Sequence, residues 1–173
     1  MAIEFRPVTA ADLPILAAWI ARPHWQEWWG DPAEEVAHIR DMVEGRDTTR
    51  PYLFGEAGAE LGYIQAWHIA DQRIEPWLTI APWLTALPDD AVGVDLSIAE
   101  AGRLGRGLGS RALAAFVAML RAEGHATIVI DPDPANTRAV RAYEKAGFRP
   151  IPALLGQTGD SLLMQFGGDG AAA

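Results

Sequence analysis

Polar and apolar residues alternate over residues 3–8, Ile-Glu-Phe-Arg-Pro-Val, and this stretch reads as an edge strand. A helix follows to about Ala21, capped by Thr9 or Asp12, with Pro14 in its first turn. Residues 22–30, Arg-Pro-His-Trp-Gln-Glu-Trp-Trp-Gly, form a loop unusually rich in aromatic side chains. Asp31-Pro-Ala-Glu-Glu starts a second helix, with Val36, Ile39 and Val43 at apolar spacing. Residues 51–56 and 61–69 read as a hairpin around Gly58. Residues 92–99 read as a strand, 107–122 as a helix, 126–131 as a strand and 136–146 as a helix. Two short strands, 148–151 and 161–166, close the chain. Residues 70–91, with Pro76, Pro82 and Pro88 among Trp77 and Trp83, follow neither period and read as a lid-like insertion. The sum is a mixed α/β domain around a strand–loop–helix–strand core.

The length of 173 residues suits one domain. That domain is expected to span 1–167, with a flexible tail at 168–173. No apolar run approaches the ~20 residues of a membrane span, and the N-terminus has no signal layout. Cysteine is absent, which rules out a disulfide, a cysteine nucleophile and a thiolate metal site in this chain. A cytoplasmic protein, monomer or homodimer, is the simplest expectation. The four histidines show no ligand spacing, so no metal is expected.

Charge divides the chain. Residues 1–100 carry 17 acidic and 6 basic side chains, a balance of −11; residues 101–173 carry 6 acidic and 8 basic, a balance of +2. An acidic surface disfavours nucleic acid and anionic membrane and attracts cations, while the basic half can hold a small anion. A surface charged only for solubility fits the same numbers.

Two segments carry the chemistry. In Arg103-Leu-Gly-Arg-Gly-Leu-Gly-Ser110, three glycines lie between a strand and a helix. Glycine permits positive φ and lets backbone N–H groups approach an anion, and the helix adds its positive end. Residues 101–122 hold four arginines and no acid, which fits a pyrophosphate. The pattern is neither a Walker loop nor a dinucleotide fingerprint, and a tight turn alone accounts for it equally. In the second segment, Asn136 and Tyr143 lie seven residues apart on one helix face. Asn136 can cap the helix or serve a ligand, and Tyr143 can be a core tyrosine or an acid for a leaving thiolate.

Taken together, the glycine loop and Asn-x-x-Ala-x-x-x-Tyr-Glu-Lys-x-Gly-Phe resemble the cofactor core of the GNAT superfamily of N-acetyltransferases over about residues 92–150. The resemblance is closer to the aminoglycoside 6′-N-acetyltransferases, which share patterns like residues 22–30, 93–98, 104–109 and 131–136. It implies a mostly antiparallel mixed α/β sheet flanked by helices, with a V-shaped opening between two central strands. It also implies acetyl-CoA as co-substrate. On the cofactor side it points to Leu96, Ser97, Ile98, Arg103, Leu104, Gly105, Arg106, Gly107, Leu108, Gly109 and Ser110. Asn136, Ala139, Tyr143 and Lys145 complete that side, with Tyr143 as the acid. Leu104 departs from a Gln or Arg common in relatives.

On the acceptor side, Asp95 sits mid-strand, an unusual place for a carboxylate. It is either solvent-facing or salt-bridged, or a base that deprotonates an ammonium; the resemblance puts it at the reaction centre. Amides of Leu96, Ser97 and Ile98 can stabilise an oxyanion. Asp131 is a turn residue before Pro132 or a substrate contact. Asp71 and Asp160 are further acceptor-side candidates, as are Trp28 and Trp29, whose indole faces suit sugars and cations. Residues 70–91 are expected to line this pocket. The acceptor is then a small cation, foremost an aminoglycoside. Another amine, such as a hydroxylysine-type siderophore precursor or a protein N-terminus, and a non-catalytic acyl-CoA-binding module are the alternatives.

Overall fold

A computed structural model describes residues 2–167, so the tail expected at 168–173 lies outside the described residues. Seven strands form one sheet: β1 (Glu4–Pro7), β2 (Arg50–Glu56), β3 (Ala59–His68), β4 (Val92–Ile98), β5 (Ile128–Ile130), β6 (Phe148–Pro150) and β7 (Met164–Phe166). Their spatial order is β1-β2-β3-β4-β5-β7-β6, antiparallel throughout except for β4 against β5. The helices are α1 (Leu13–Ile20), α2 (Pro23–Gln26), α3 (Pro32–Val43), α4 (Trp77–Ile80), α5 (Leu108–Ala122) and α6 (Thr137–Lys145).

The parallel pair follows from its connection, since α5 is the crossover that returns the chain to the same edge of β4. Leu113, Phe116, Val117 and Leu120 of α5 bury against Ile64, Val94 and Ile128 on one face of the sheet. Leu16, Trp19 and Ile20 of α1 and Ile39 of α3 cover the other face with Leu53 and Tyr63. Both faces are therefore closed by helices, and the molecule has three layers.

Both expected cap residues stand at helix starts, but the side chain of Asp12 does not cap α1. Thr9 caps a short 3-10 turn, Ala10–Asp12, and its N–H donates to Asp12 Oδ2 at 2.8 Å. Asp12 then precedes α1, but its carboxylate is committed to Thr9 and Arg6. Asp31 caps α3 by accepting from the amides of Ala33 and Glu34.

Residues 70–91 are anchored at their second half, while Ile74, Trp77 and Ile80 of the first half are exposed. Their short turns and α4 lead into Trp83, Leu84 and Leu87, which bury with Ile69, Ala91, Val129 and Leu163 in a third apolar cluster. The last strand is also shorter than expected, and it inserts between β5 and β6.

Candidate active site

Strands β4 and β5 pair only at Val92–Ile128 and Gly93–Val129. Beyond Gly93, β4 runs on to Ile98 while β5 stops at Ile130, so the two strands part. A cleft of about 680 Å³ opens there. Ala99 donates its N–H to Leu61 on β3, and Val92 donates to Thr127 on the other side. Backbone N–H groups alternate along a strand, so Leu96 and Ile98 turn theirs toward the opening, and Ser97 turns its own toward β3.

Asp95 lines the cleft, opposite Gln65 of β3. Its Oδ2 accepts from Gln65 Nε2 and from Trp67 Nε1, each at 2.9 Å. Burial raises its pKa above the ordinary carboxylate value, and the two hydrogen bonds oppose that rise. Asp131, just past the end of β5, lines the same cleft. Burial first, and the charge of Asp95 second, push its pKa up to about 8. Glu35 of α3 joins them; its carboxyl is also raised by burial, and the amide of Gly30 holds it.

Tyr143 of α6 is 8 % exposed and lines the cleft from the opposite wall. Burial, with Asp95 and Asp131 nearby, holds its phenol protonated well above the usual range. A phenol that stays neutral is a proton donor at any ordinary pH.

The loop of residues 22–30 builds the third wall. Pro23 starts the single turn of α2, and Trp25 is fully buried, donating to the carbonyl of Ile98 at 2.9 Å. His24 Nε2 meets the same carbonyl at 2.9 Å. These contacts tie the loop to the end of β4 and leave Trp28 and Trp29 lining the cleft. Trp29 also packs on Trp25 and edge-on against Tyr63, with centroids 5.0 and 5.8 Å apart.

Next along the chain from β4 lies the glycine loop. Gly105 and Gly107 adopt φ of +72° and +79°, a conformation that L side chains rarely hold. A Cβ added at either would meet nothing within 4 Å, and α5 begins at once, a 15-residue helix whose first amides lack partners within the helix. Gly105, Gly107, Gly109, Ser110 and Leu104 line the cleft, while Leu108 is buried in the core. Asn136 caps α6, accepting from Ala139 N–H at 3.1 Å, and both residues line the cleft, so the capping and lining readings hold together.

The positive charge at the cleft comes in part from residues not expected there. Arg103 and Arg106 are exposed and do not line the cleft, and Arg111 pairs with Glu56. The expected Lys145 lines it, together with Arg138 and Arg141 of the same helix. Open positive-φ glycines, a helix N-terminus and three cations fit a long anion such as acetyl-CoA.

Two acceptor-side candidates lie elsewhere. Asp71 is exposed and accepts from Thr48 Oγ1 at 2.7 Å, and Asp160 is exposed in a turn; neither lines the cleft. No residue of 70–91 lines it either. Sequence reasoning overlooked Glu35, Gln65 and Trp67. Tyr63, Gln65 and Trp67 alternate on one face of β3, and three hydrogen-bonding side chains at that period were the available signal.

Known proteins resemble this chain in sequence and in fold. Residues 8–154 match the family model of the acetyltransferase (GNAT) domain. Aminoglycoside N(6′)-acetyltransferase type 1 of Klebsiella pneumoniae is 33% identical over 153 residues, 84% of this chain and 73% of that protein. A lysine N-acyltransferase of Mycobacterium sp. (strain MCS) is 30% identical over 142 residues, 79% and 55% of the two chains. Among solved structures, AAC(6′)-Ib in complex with paromomycin and acetyl-CoA superposes with a TM-score of 0.78 at 30% identity, covering 95% of this chain and 93% of that one.

Proposed function

The chain belongs to the GNAT acetyltransferases, and from that premise we propose that it acetylates a primary amine of a cationic acceptor, the 6′-amine of an aminoglycoside. The observation that carries this reading is one cleft lined by two kinds of group. Glu35, Asp95 and Asp131 with the indoles of Trp28 and Trp29 are one group; the glycine loop and the cations of α6 are the other. The first suits a ring-bearing polycation, the second the phosphates of acetyl-CoA.

Acetyl-CoA supplies the thioester and its leaving thiolate. The Gly105–Ser110 turn would hold the pyrophosphate through backbone amides, with Asn136, Ala139 and Lys145 along the rest of the molecule. Asp95 takes a proton from the acceptor ammonium, freeing the lone pair for attack. The N–H groups of Leu96 and Ile98 donate to the carbonyl oxygen as charge develops there. Tyr143 delivers a proton to the departing sulfur. Transfer is direct, in keeping with the absence of cysteine from the sequence.

The likeness to a lysine N-acyltransferase supports a second reading, acylation of a lysine-type side-chain amine. One assay separates the two. Thiol release from acetyl-CoA is measured against aminoglycosides with and without a free 6′-amine, hydroxylysine-type amines and peptides. Turnover confined to 6′-amino aminoglycosides is expected. Turnover on lysine-type amines alone overturns the first reading in favour of the second.

A further inference from the structure

Both hydrogen bonds to Asp95 reach the same oxygen. Gln65 Nε2 and Trp67 Nε1 each lie 2.9 Å from Oδ2, and among the described residues nothing donates to Oδ1. The reach of Trp67 is unusual. Its register partner on β4 is Gly93, whereas Asp95 is two residues further along and pairs with Gln65. The indole spans that diagonal by lying across Gly93. A Cβ there would fall 2.2–2.7 Å from three atoms of the ring. So Gly93, with an ordinary strand conformation, is required as a seat rather than as a turn. Gln65 is oriented from behind. The buried Tyr63 hydroxyl, held neutral, donates to Gln65 Oε1 at 2.6 Å, which turns the amide NH₂ to Asp95.

We propose that Trp67 is a positioning residue: seated on Gly93, its indole N–H pins Oδ2 of Asp95 and presents Oδ1 alone to the acceptor amine. This rests on the base role of Asp95 proposed above. The other groups facing Asp95 are Glu35 of α3, Asp131 past β5, Tyr143 of α6 and His24 of α2, which line the same cleft without bonding to it, and Tyr63, which acts through Gln65.

The sign follows from the bond. An N–H donated to a carboxylate favours the ionised form, so losing it raises the pKa. The test is Trp67→Phe, which keeps the ring and removes the donor, with Trp67→His restoring a ring N–H. Carboxyl ¹³C shifts of Asp95 are titrated in an Asp131→Asn background, assigned by Asp95→Asn. The midpoint is expected to rise by about one pH unit in W67F. The turnover number falls about tenfold with the acetyl-CoA KM within twofold, and W67H recovers part of both. Gly93→Ala, which unseats the indole, moves the midpoint the same way and stands in if W67F does not fold. An unmoved midpoint in whichever of W67F and G93A folds overturns the proposal. Because the titration needs no turnover, it is read separately from the base role, which fails if D95N keeps the parent's activity.

Discussion

At the scale of single residues, the cleft is set by three carboxyls taken partly out of water. Asp95 and Tyr143 have separable roles, and their variants fail differently. Asp95→Asn removes the proton acceptor but keeps size and one acceptor oxygen. A general base contributes roughly 10²–10⁴-fold, so kcat/KM is expected to fall by that order, with acetyl-CoA binding intact by calorimetry. Tyr143→Phe loses only the proton for the leaving group, and a non-catalytic acyl-CoA-binding module would show no change in either variant. Asp131 offers a test in stability. Its folded pKa of about 8 lies above the ordinary 3.8, so the folded state binds more protons between those values. Stability therefore falls as pH rises through that window. Asp131→Asn escapes this, and is expected to match the parent near pH 4 and exceed it at pH 9 by on the order of a few kcal/mol. Thermal melts at the two pH values check it; a pH-independent difference contradicts the burial of this charge.

Elements that carry their own punctuation were legible in the sequence. Helix α5 declared itself by glycines before a periodic apolar run, and α6 by its Asn136 cap and the Gly147 that follows it at φ +102°. The half-polar alternation of β4 put Asp95 on the face away from α5, where it stands. Residues 70–91 were illegible for a physical reason. Trp83, Leu84 and Leu87 bury from short 3-10 turns, and such turns have too few residues to show a period. Charge was legible only in part: Lys145 was expected at the cleft and lines it, while Arg111 is held by Glu56 and the lining cations Arg138 and Arg141 were not singled out. Partner choice across the fold leaves no mark in local pattern. The glycine loop itself yields a sharp test. At Gly107 nothing lies within 4 Å of a new Cβ, so Gly107→Ala costs strain alone, about 1–2 kcal/mol. It is expected to raise the acetyl-CoA KM about tenfold while the acceptor KM stays within twofold. Equal rises in both would mean that the loop shapes the whole cleft rather than its anion site.

On the scale of the whole molecule, the division of charge along the chain becomes a division of labour in space. The N-terminal half, at −11, contributes Glu35 and Asp95 to the cleft; the C-terminal half, at +2, contributes Arg138, Arg141 and Lys145. Asp131 and Asp133 cross that division. On the proposed function, groups of both signs in one opening attract two ligands of opposite charge before any contact forms. Screening tests this without mutation. Raising ionic strength from about 0.01 to 0.15 M shortens the Debye length from about 30 to 8 Å, and the KM of both a polycationic acceptor and acetyl-CoA is expected to rise several-fold. Mutation then separates the two groups. Arg141→Glu with Lys145→Glu reverses two charges on α6, and is expected to raise the acetyl-CoA KM more than tenfold and flatten its salt dependence. The acceptor KM should hold or fall, because added negative charge favours a cation. A matching loss of acceptor affinity would show that the two groups are not electrically distinct, and the polycation reading would lose its physical basis.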